Sequence, residues 1–131
     1  APLLLVVVLG VLAAIVIPAY SDYSVRAQVS EGLNLASGAR VAVAGTLQDT
    51  GRLPADNDAV GLPPASQING TYVSGVAVEN GSIYVNYGNQ AHMAIFGRSL
   101  VLTPLPRPGD YVEWSCSSPN IAPKHLPAAC R

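Results

Sequence analysis

The sequence predicts an α+β fold in which the second half of a long N-terminal helix packs on a four-stranded antiparallel sheet. Three observations predict it: an apolar run at the start, a helical repeat that follows it, and four later segments rich in β-branched and aromatic residues. A sheet with one apolar face needs a cover, and an amphipathic helix can provide it. The 131 residues allow one domain in addition to the apolar run.

The apolar run covers residues 1–17 without a charged side chain and is closed by Pro18. It is close to the length of about 20 residues that spans a bilayer core as a helix. A domain of this size cannot bury a helix that is apolar on every side. We therefore expect the run to protrude and to lie in lipid or among other chains. A cleaved signal peptide is disfavoured because the run lacks a basic head and a small-residue cleavage site, whereas a simple membrane tether stays open.

Residues 19–47 continue as an amphipathic helix, whose pattern begins to break down at Gly45 and Thr46. Asp22 precedes Arg26 by four residues, the better order for a helical ion pair. The apolar and small residues that recur at three- and four-residue steps, and so share one face, are Val25, Val29, Gly32, Ala36, Ala39, Val43 and Leu47.

Residues 48–70 contain many glycines and prolines and predict a long ordered loop. The sheet is expected over residues 71–116, with Asn80-Gly81 as a two-residue hairpin turn. In the fourth strand, Val112, Trp114 and Cys116 should share the face opposite Glu113. Pro104, Pro106 and Pro108 are expected to stiffen the connection before that strand. The predicted strands are Tyr72–Glu79, Ile83–Tyr87, Ser99–Thr103 and Tyr111–Cys116.

The two cysteines, Cys116 and Cys130, lie near the C-terminus with thirteen residues between them. This spacing is not that of a redox pair, and two ligands do not complete a zinc site. An even count in a loop-rich end indicates one disulfide, formed in an oxidising compartment. The bridge would close a loop over 116–130 and stabilise the fold by about 3 kcal/mol.

Composition and motifs argue against an enzyme. The chain has two histidines and contains no P-loop, nucleophile elbow or metal-binding helix motif, so we expect no cofactor and no metal. Charged residues make up only 11% and the net charge is −1, which predicts at most weak attraction for DNA.

Several motifs, in this order, resemble those of the type IV pilins, in particular the major subunits of Gram-negative bacteria. The resemblance covers nearly the whole chain, and its first and last motifs are the most specific. The segments that carry it are 10–20 (GVLAAIVIPAY), 22–23 (DY), 26–32 (RAQVSEG), 87–91 (YGNQA), 100–104 (LVLTP), 114–116 (WSC) and 123–131 (PKHLPAACR).

The departure from the family pattern is at the front. Pilins begin with a methylated residue, usually Phe, and carry a Glu at the fifth position; aligning Gly10 and Pro18 with the family puts Ala1 at that Glu position. Either the start is missing from this sequence or the acid is absent. The residues that would carry the cleavage and methylation signal and the usual charge pairing that sets subunit register are therefore not seen in this sequence.

The resemblance implies a structural subunit that polymerises into a type IV pilus filament for adhesion, twitching motility and DNA uptake. Its partners would be copies of itself, the inner membrane before assembly, and the pilus assembly machinery; afterwards the chain would be extracellular. Residues 1–24 would form the membrane and filament-core helix, and 25–131 the head, with its helix over 25–47. The residues expected to line the filament core or membrane helix are Leu3, Val7, Gly10, Ala14, Ile17 and Pro18.

The C-terminal loop is expected to contact host or abiotic surfaces through Pro119, Lys124, His125 and Pro127. Packing of this loop against a neighbouring subunit is an equal alternative. Two other functions stay open: a membrane-tethered surface-binding module, which would need only a greasy anchor, and a secretion pseudopilin. A helix that runs without a break from the anchor into the head favours the polymer.

Overall fold

The computed structural model describes residues 2–109 and 111–131. One helix, α1 (Pro2–Thr50), is followed by an antiparallel sheet of β1 (Val73–Glu79), β2 (Ser82–Tyr87), β3 (Ser99–Arg107) and β4 (Tyr111–Ser117). The strands lie in the order β1-β2-β3-β4. The predicted α+β architecture is confirmed.

Helix α1 has 49 residues and is about 74 Å long at 1.5 Å per residue. It runs unbroken through Pro18. It ends three residues later than expected, because Gly45 and Thr46 weaken a helix without stopping it. Gly51 stops it by adopting a left-handed conformation (φ 70°) and donating its N–H to the Leu47 carbonyl at 2.8 Å.

The predicted buried face of α1 is confirmed except at its last residue. Val25, Val29, Gly32, Ala36, Ala39 and Val43 are buried, whereas Leu47 is half-buried. The small residues in the middle of this face let the helix approach the sheet closely. The sheet residues that belong to the same buried core are Val73, Val76, Val78, Ile83, Val85, Tyr87, Leu100 and Leu102.

The β1–β2 turn is the predicted two-residue hairpin. Glu79 pairs with Ser82, and Asn80 and Gly81 have φ values of 50° and 85°, as a type I′ turn requires. Their N–H groups donate to the carbonyls of Ala55 and Pro54, at 3.1 and 2.8 Å. The turn is thereby joined to the segment that follows α1.

Asn57 holds the loop between α1 and β1 to the edge of the sheet. The Asn57 amide donates to the carbonyls of Pro63 and Val76 and accepts the Val78 N–H. It is one of the two buried polar residues of the described chain. Because it satisfies edge groups of β1, it acts as a short substitute for a neighbouring strand.

The prediction that Pro104 and Pro106 belong to a connection is wrong, because β3 extends through both to Arg107. Beyond Leu102 the strand pairs with β4 alone. A proline lacks the N–H needed for a ladder bond, and strands tolerate it where one side has no partner. The predicted alternation of β4 is confirmed, with Val112, Trp114 and Cys116 on its half-buried face.

Candidate assembly surfaces

The apolar half of α1 has no cover in the single chain. Every described residue from Pro2 to Tyr20 is exposed, including Leu3 (74%), Val7 (55%) and Ile17 (66%). Gly10, Ala14 and Pro18 are exposed as well. By length and composition this helix could cross a membrane. An apolar surface of this extent is typical of a site covered by lipid or by other chains.

The first turns of α1 inside the head are tied to the C-terminal loop. Arg26 Nη1 donates to the Lys124 carbonyl at 3.0 Å, and Asp22 Oδ1 lies 3.2 Å from His125 Nε2. These contacts replace the predicted Asp22–Arg26 pair, which is absent from the ion pairs of the described residues. Both side chains bind partners that lie about a hundred residues away in the sequence. Helical spacing cannot reveal such partners.

Cys116 and Cys130 form the predicted disulfide, with their Cα atoms 4.5 Å apart. Cys116 is the inward-facing residue at the end of β4, and Cys130 is buried. The bridge attaches the last turn of the chain to the sheet. The loop that it closes is therefore fixed at both ends to the core.

The four residues expected on the surface of this loop differ in exposure. Pro119 and Lys124 are exposed and Pro127 is half-buried. His125 departs from the expectation, since only 7% of it is exposed. It is turned inward toward Asp22, and its Nδ1 is a buried atom without a hydrogen-bond partner.

Glu31 joins α1 to the end of the long loop, a role that the sequence alone does not indicate. Its carboxylate accepts the N–H groups of Thr71 and Tyr72 at 2.9 and 2.8 Å. A carboxylate on two backbone N–H groups makes strong, charge-assisted bonds. The sequence shows only an acidic residue within a predicted helix, which does not indicate the backbone groups that its carboxylate binds.

Gly32 and Tyr87 form a tight contact between helix and sheet. The Tyr87 hydroxyl donates to the Val29 carbonyl at 2.7 Å, and a Cβ on Gly32 would lie 2.2 Å from that hydroxyl oxygen. Burial raises the pKa of Tyr87 above its ordinary value, and the negative charge of Glu31 raises it further. Helical spacing places Gly32 on the buried face but does not identify Tyr87 as its neighbour.

The comparisons with known proteins agree with this architecture. Residues 25–131 match the model of the family described as "Pilin (bacterial filament)". The fimbrial protein EcpC of Eikenella corrodens is 39% identical, with 98% of this chain and 85% of that protein aligned. The type IV major pilin protein PilE of Neisseria gonorrhoeae is 34% identical, covering 98% of this chain and 89% of that protein.

A third relative, the type IV major fimbrial protein FimA of Dichelobacter nodosus, is 34% identical over 98% of this chain and 90% of its own length. An exposed apolar helix that continues into a disulfide-closed α+β head defines the class of filament subunits. The chain belongs to the pilin family, and its role is that of a structural pilus subunit.

Proposed function

We propose that this pilin resides in the inner membrane through the apolar half of α1 and then transfers that half into the core of a type IV pilus. The observation that carries the proposal is the continuity of α1. Its exposed apolar half and its buried half belong to one continuous helix. A flexible tether would let the head move freely in the membrane-bound subunit, whereas a continuous helix holds the head in line with the apolar half before assembly.

Transfer from lipid to filament keeps the apolar surface away from water in both states. Burial of apolar side chains is worth about 25 cal/mol per Å², so lipid and a bundle of neighbouring helices are comparable environments. The residues available for the core contacts are Leu3, Val7, Gly10, Ala14, Ile17 and Pro18. Assembly machinery must extract the helix from lipid, and we assign that step to other proteins.

Adhesion, twitching motility and DNA uptake are the activities that we propose for the filament, in keeping with the family. Within this chain, Pro119 is the candidate for contact with a host or abiotic surface. Lys124 serves either that contact or packing against a neighbouring subunit. Scoring Lys124→Glu for adhesion and, separately, for filament yield distinguishes the two.

Electron microscopy of the purified protein after removal of detergent tests the proposed function. Thin filaments of uniform width are expected. Val7→Asp places a charge in the apolar half and should abolish them, whereas Val41→Asp, at an exposed position on the head, should not. Monomers or amorphous aggregates from the unmutated protein would contradict the proposal.

A further inference from the structure

Charge is distributed unevenly between the two ends of the head. The anchor-side end is where α1 enters the head, beside the C-terminal loop. The far end is where α1 stops, beside the β1–β2 and β3–β4 turns. About 26 helical residues separate the two ends, which corresponds to about 39 Å.

The anchor-side end is basic. It has four cationic side chains, those of Arg26, Arg98, Lys124 and Arg131, and two carboxylates. Those carboxylates are Asp22, which faces His125, and Glu31, which binds backbone N–H groups. Because both acids are directed to partners within the chain, the outward charge of this end is positive.

A groove of about 460 Å³ opens at the anchor-side end between α1 and the last residues of the chain. It is lined by Tyr23, Arg26, Ser30, Pro127 and Arg131, among others. Both arginines donate to backbone carbonyls, of Lys124 and Leu126. These bonds position the guanidinium groups and leave further N–H donors on each, because a guanidinium has five.

The far end is acidic. Among the described residues it has five carboxylates and two arginines, and one carboxylate, that of Glu113, is paired with Arg107 at 2.7 Å. The four carboxylates that remain, which we call the acidic rim, are exposed. They belong to Asp49, Asp56, Asp58 and Glu79.

We propose that the acidic rim of one subunit docks against the basic anchor-side groove of another copy of the same chain. Opposite charges at opposite ends of one molecule are complementary in a head-to-tail arrangement. Such a heterologous contact does not close on itself and can generate a filament. The inference rests on the proposed pilus function and adds to it which surfaces of the heads meet.

The charges set subunit register and selectivity more than they set total affinity. Exposed ion pairs contribute about 0.2–1 kcal/mol each, and salt screens them beyond about 10 Å at 0.1 M. The apolar helices supply most of the association energy in the filament core. The rim and groove favour one relative placement of the heads, because like-charged ends repel in the others.

Charge reversal in the full-length protein tests the docking, with the critical concentration for filament formation as the measurement. Lys124→Glu and Asp58→Lys are each expected to raise it about fivefold at low salt. The double variant, in which the charges are exchanged, should return it to within about twofold of the unmutated protein. At about 1 M salt all four proteins should agree.

The matched control is Arg40→Glu, the same change of charge midway along the head, where Arg40 contacts Ser37. It should leave the critical concentration unchanged. Equal effects of Arg40→Glu and Lys124→Glu, or a double variant no better than the single ones, would overturn the docking. If Lys124→Glu weakened binding to anionic vesicles but left the critical concentration unchanged, the groove would be assigned to lipid headgroups instead.

The two proposals fail in different ways. If the unmutated protein forms no filaments at any salt concentration, the proposed pilus function fails. If it forms filaments and the charge reversals leave the critical concentration unchanged, only the head-to-tail docking fails. Unfolding temperatures of all variants, measured with the disulfide intact, exclude loss of the fold as the cause.

Discussion

Single atoms decide how closely α1 approaches the sheet. At Gly32 the nearest neighbours of an added methyl group would be the Tyr87 hydroxyl and a Val85 methyl, at 2.2 and 2.7 Å. Both neighbours are held in the core, so neither can move without cost. The hydrogen bond from Tyr87 to Val29 depends on this glycine.

Gly32→Ala is therefore expected to destabilise the protein by about 1–3 kcal/mol, the usual range for overpacking a core. Gly38→Ala is the matched control, since nothing lies within 4 Å of the added methyl group and Ala favours the helix by about 1 kcal/mol. Urea unfolding of both variants gives the comparison. Equal stability of the two would contradict the tight contact.

The raised pKa of Tyr87 predicts a loss of stability in alkali. The folded chain holds the Tyr87 proton more tightly than the unfolded chain does, so unfolding releases a proton once the pH exceeds about 10, the ordinary tyrosine pKa. The contribution of this group to stability is complete below that pH and is lost as the pH rises through its folded pKa.

Tyr87→Phe should cost about 1 kcal/mol at neutral pH, the typical net value of one hydrogen bond. The difference from the unmutated protein should shrink as the pH rises above about 10. Unfolding measured at neutral pH and at several alkaline values provides the check. A difference that stays constant with pH would mean that Tyr87 does not carry the effect.

Among the elements, α1 was the easiest to predict and its surroundings the hardest. The recurrence of apolar and small residues at three- and four-residue steps identified its buried face. The Asn80-Gly81 pair identified the first hairpin. The sequence did not predict the extension of β3 through Pro104 and Pro106. Proline is tolerated there because this part of β3 pairs with β4 alone, and composition does not show how many neighbours a strand has.

The residues at the junction of head and anchor were predicted less well for the same reason. Asp22, Arg26 and Glu31 all bind groups distant in sequence. His125 was assigned to the surface because it lies in a loop, and its burial follows from the disulfide that holds that loop against α1. Local pattern predicts which face is buried, whereas long-range contacts need the assembled fold.

At the level of α1, Pro18 is the weakest point of the unbroken helix. It cannot donate a hydrogen bond to the Ala14 carbonyl, and a proline within a helix costs about 3 kcal/mol. Lipid offers no partner for freed backbone groups and opposes unwinding. We predict that residues 13–17 become extended in the filament, where neighbouring chains provide partners.

Pro18→Ala should keep this segment helical and stiffen the fibre. Force-extension measurements on single filaments, with Ala13→Val as a control that retains the proline, would detect the change. An unbroken helix from Leu9 through Tyr23 in a density map of the unmutated filament would rule the prediction out.

At the scale of the whole molecule, the chain divides its tasks between two regions of one helix. The head buries its own core between α1 and the sheet, and none of the buried core residues precedes Val25. None of the described residues of the apolar half belongs to that core. This half of the helix is therefore available for association with other chains. Folding and polymerisation should therefore be separable.

Deleting residues 1–24 tests this separation most directly. Sedimentation and circular dichroism of the remaining head, 25–131, are expected to show a soluble, folded monomer with its disulfide intact. The full-length chain, after detergent removal under the same conditions, should sediment as filaments. A truncated head that is insoluble, unfolded or still filamentous would contradict the division between a self-sufficient head and an associating helix.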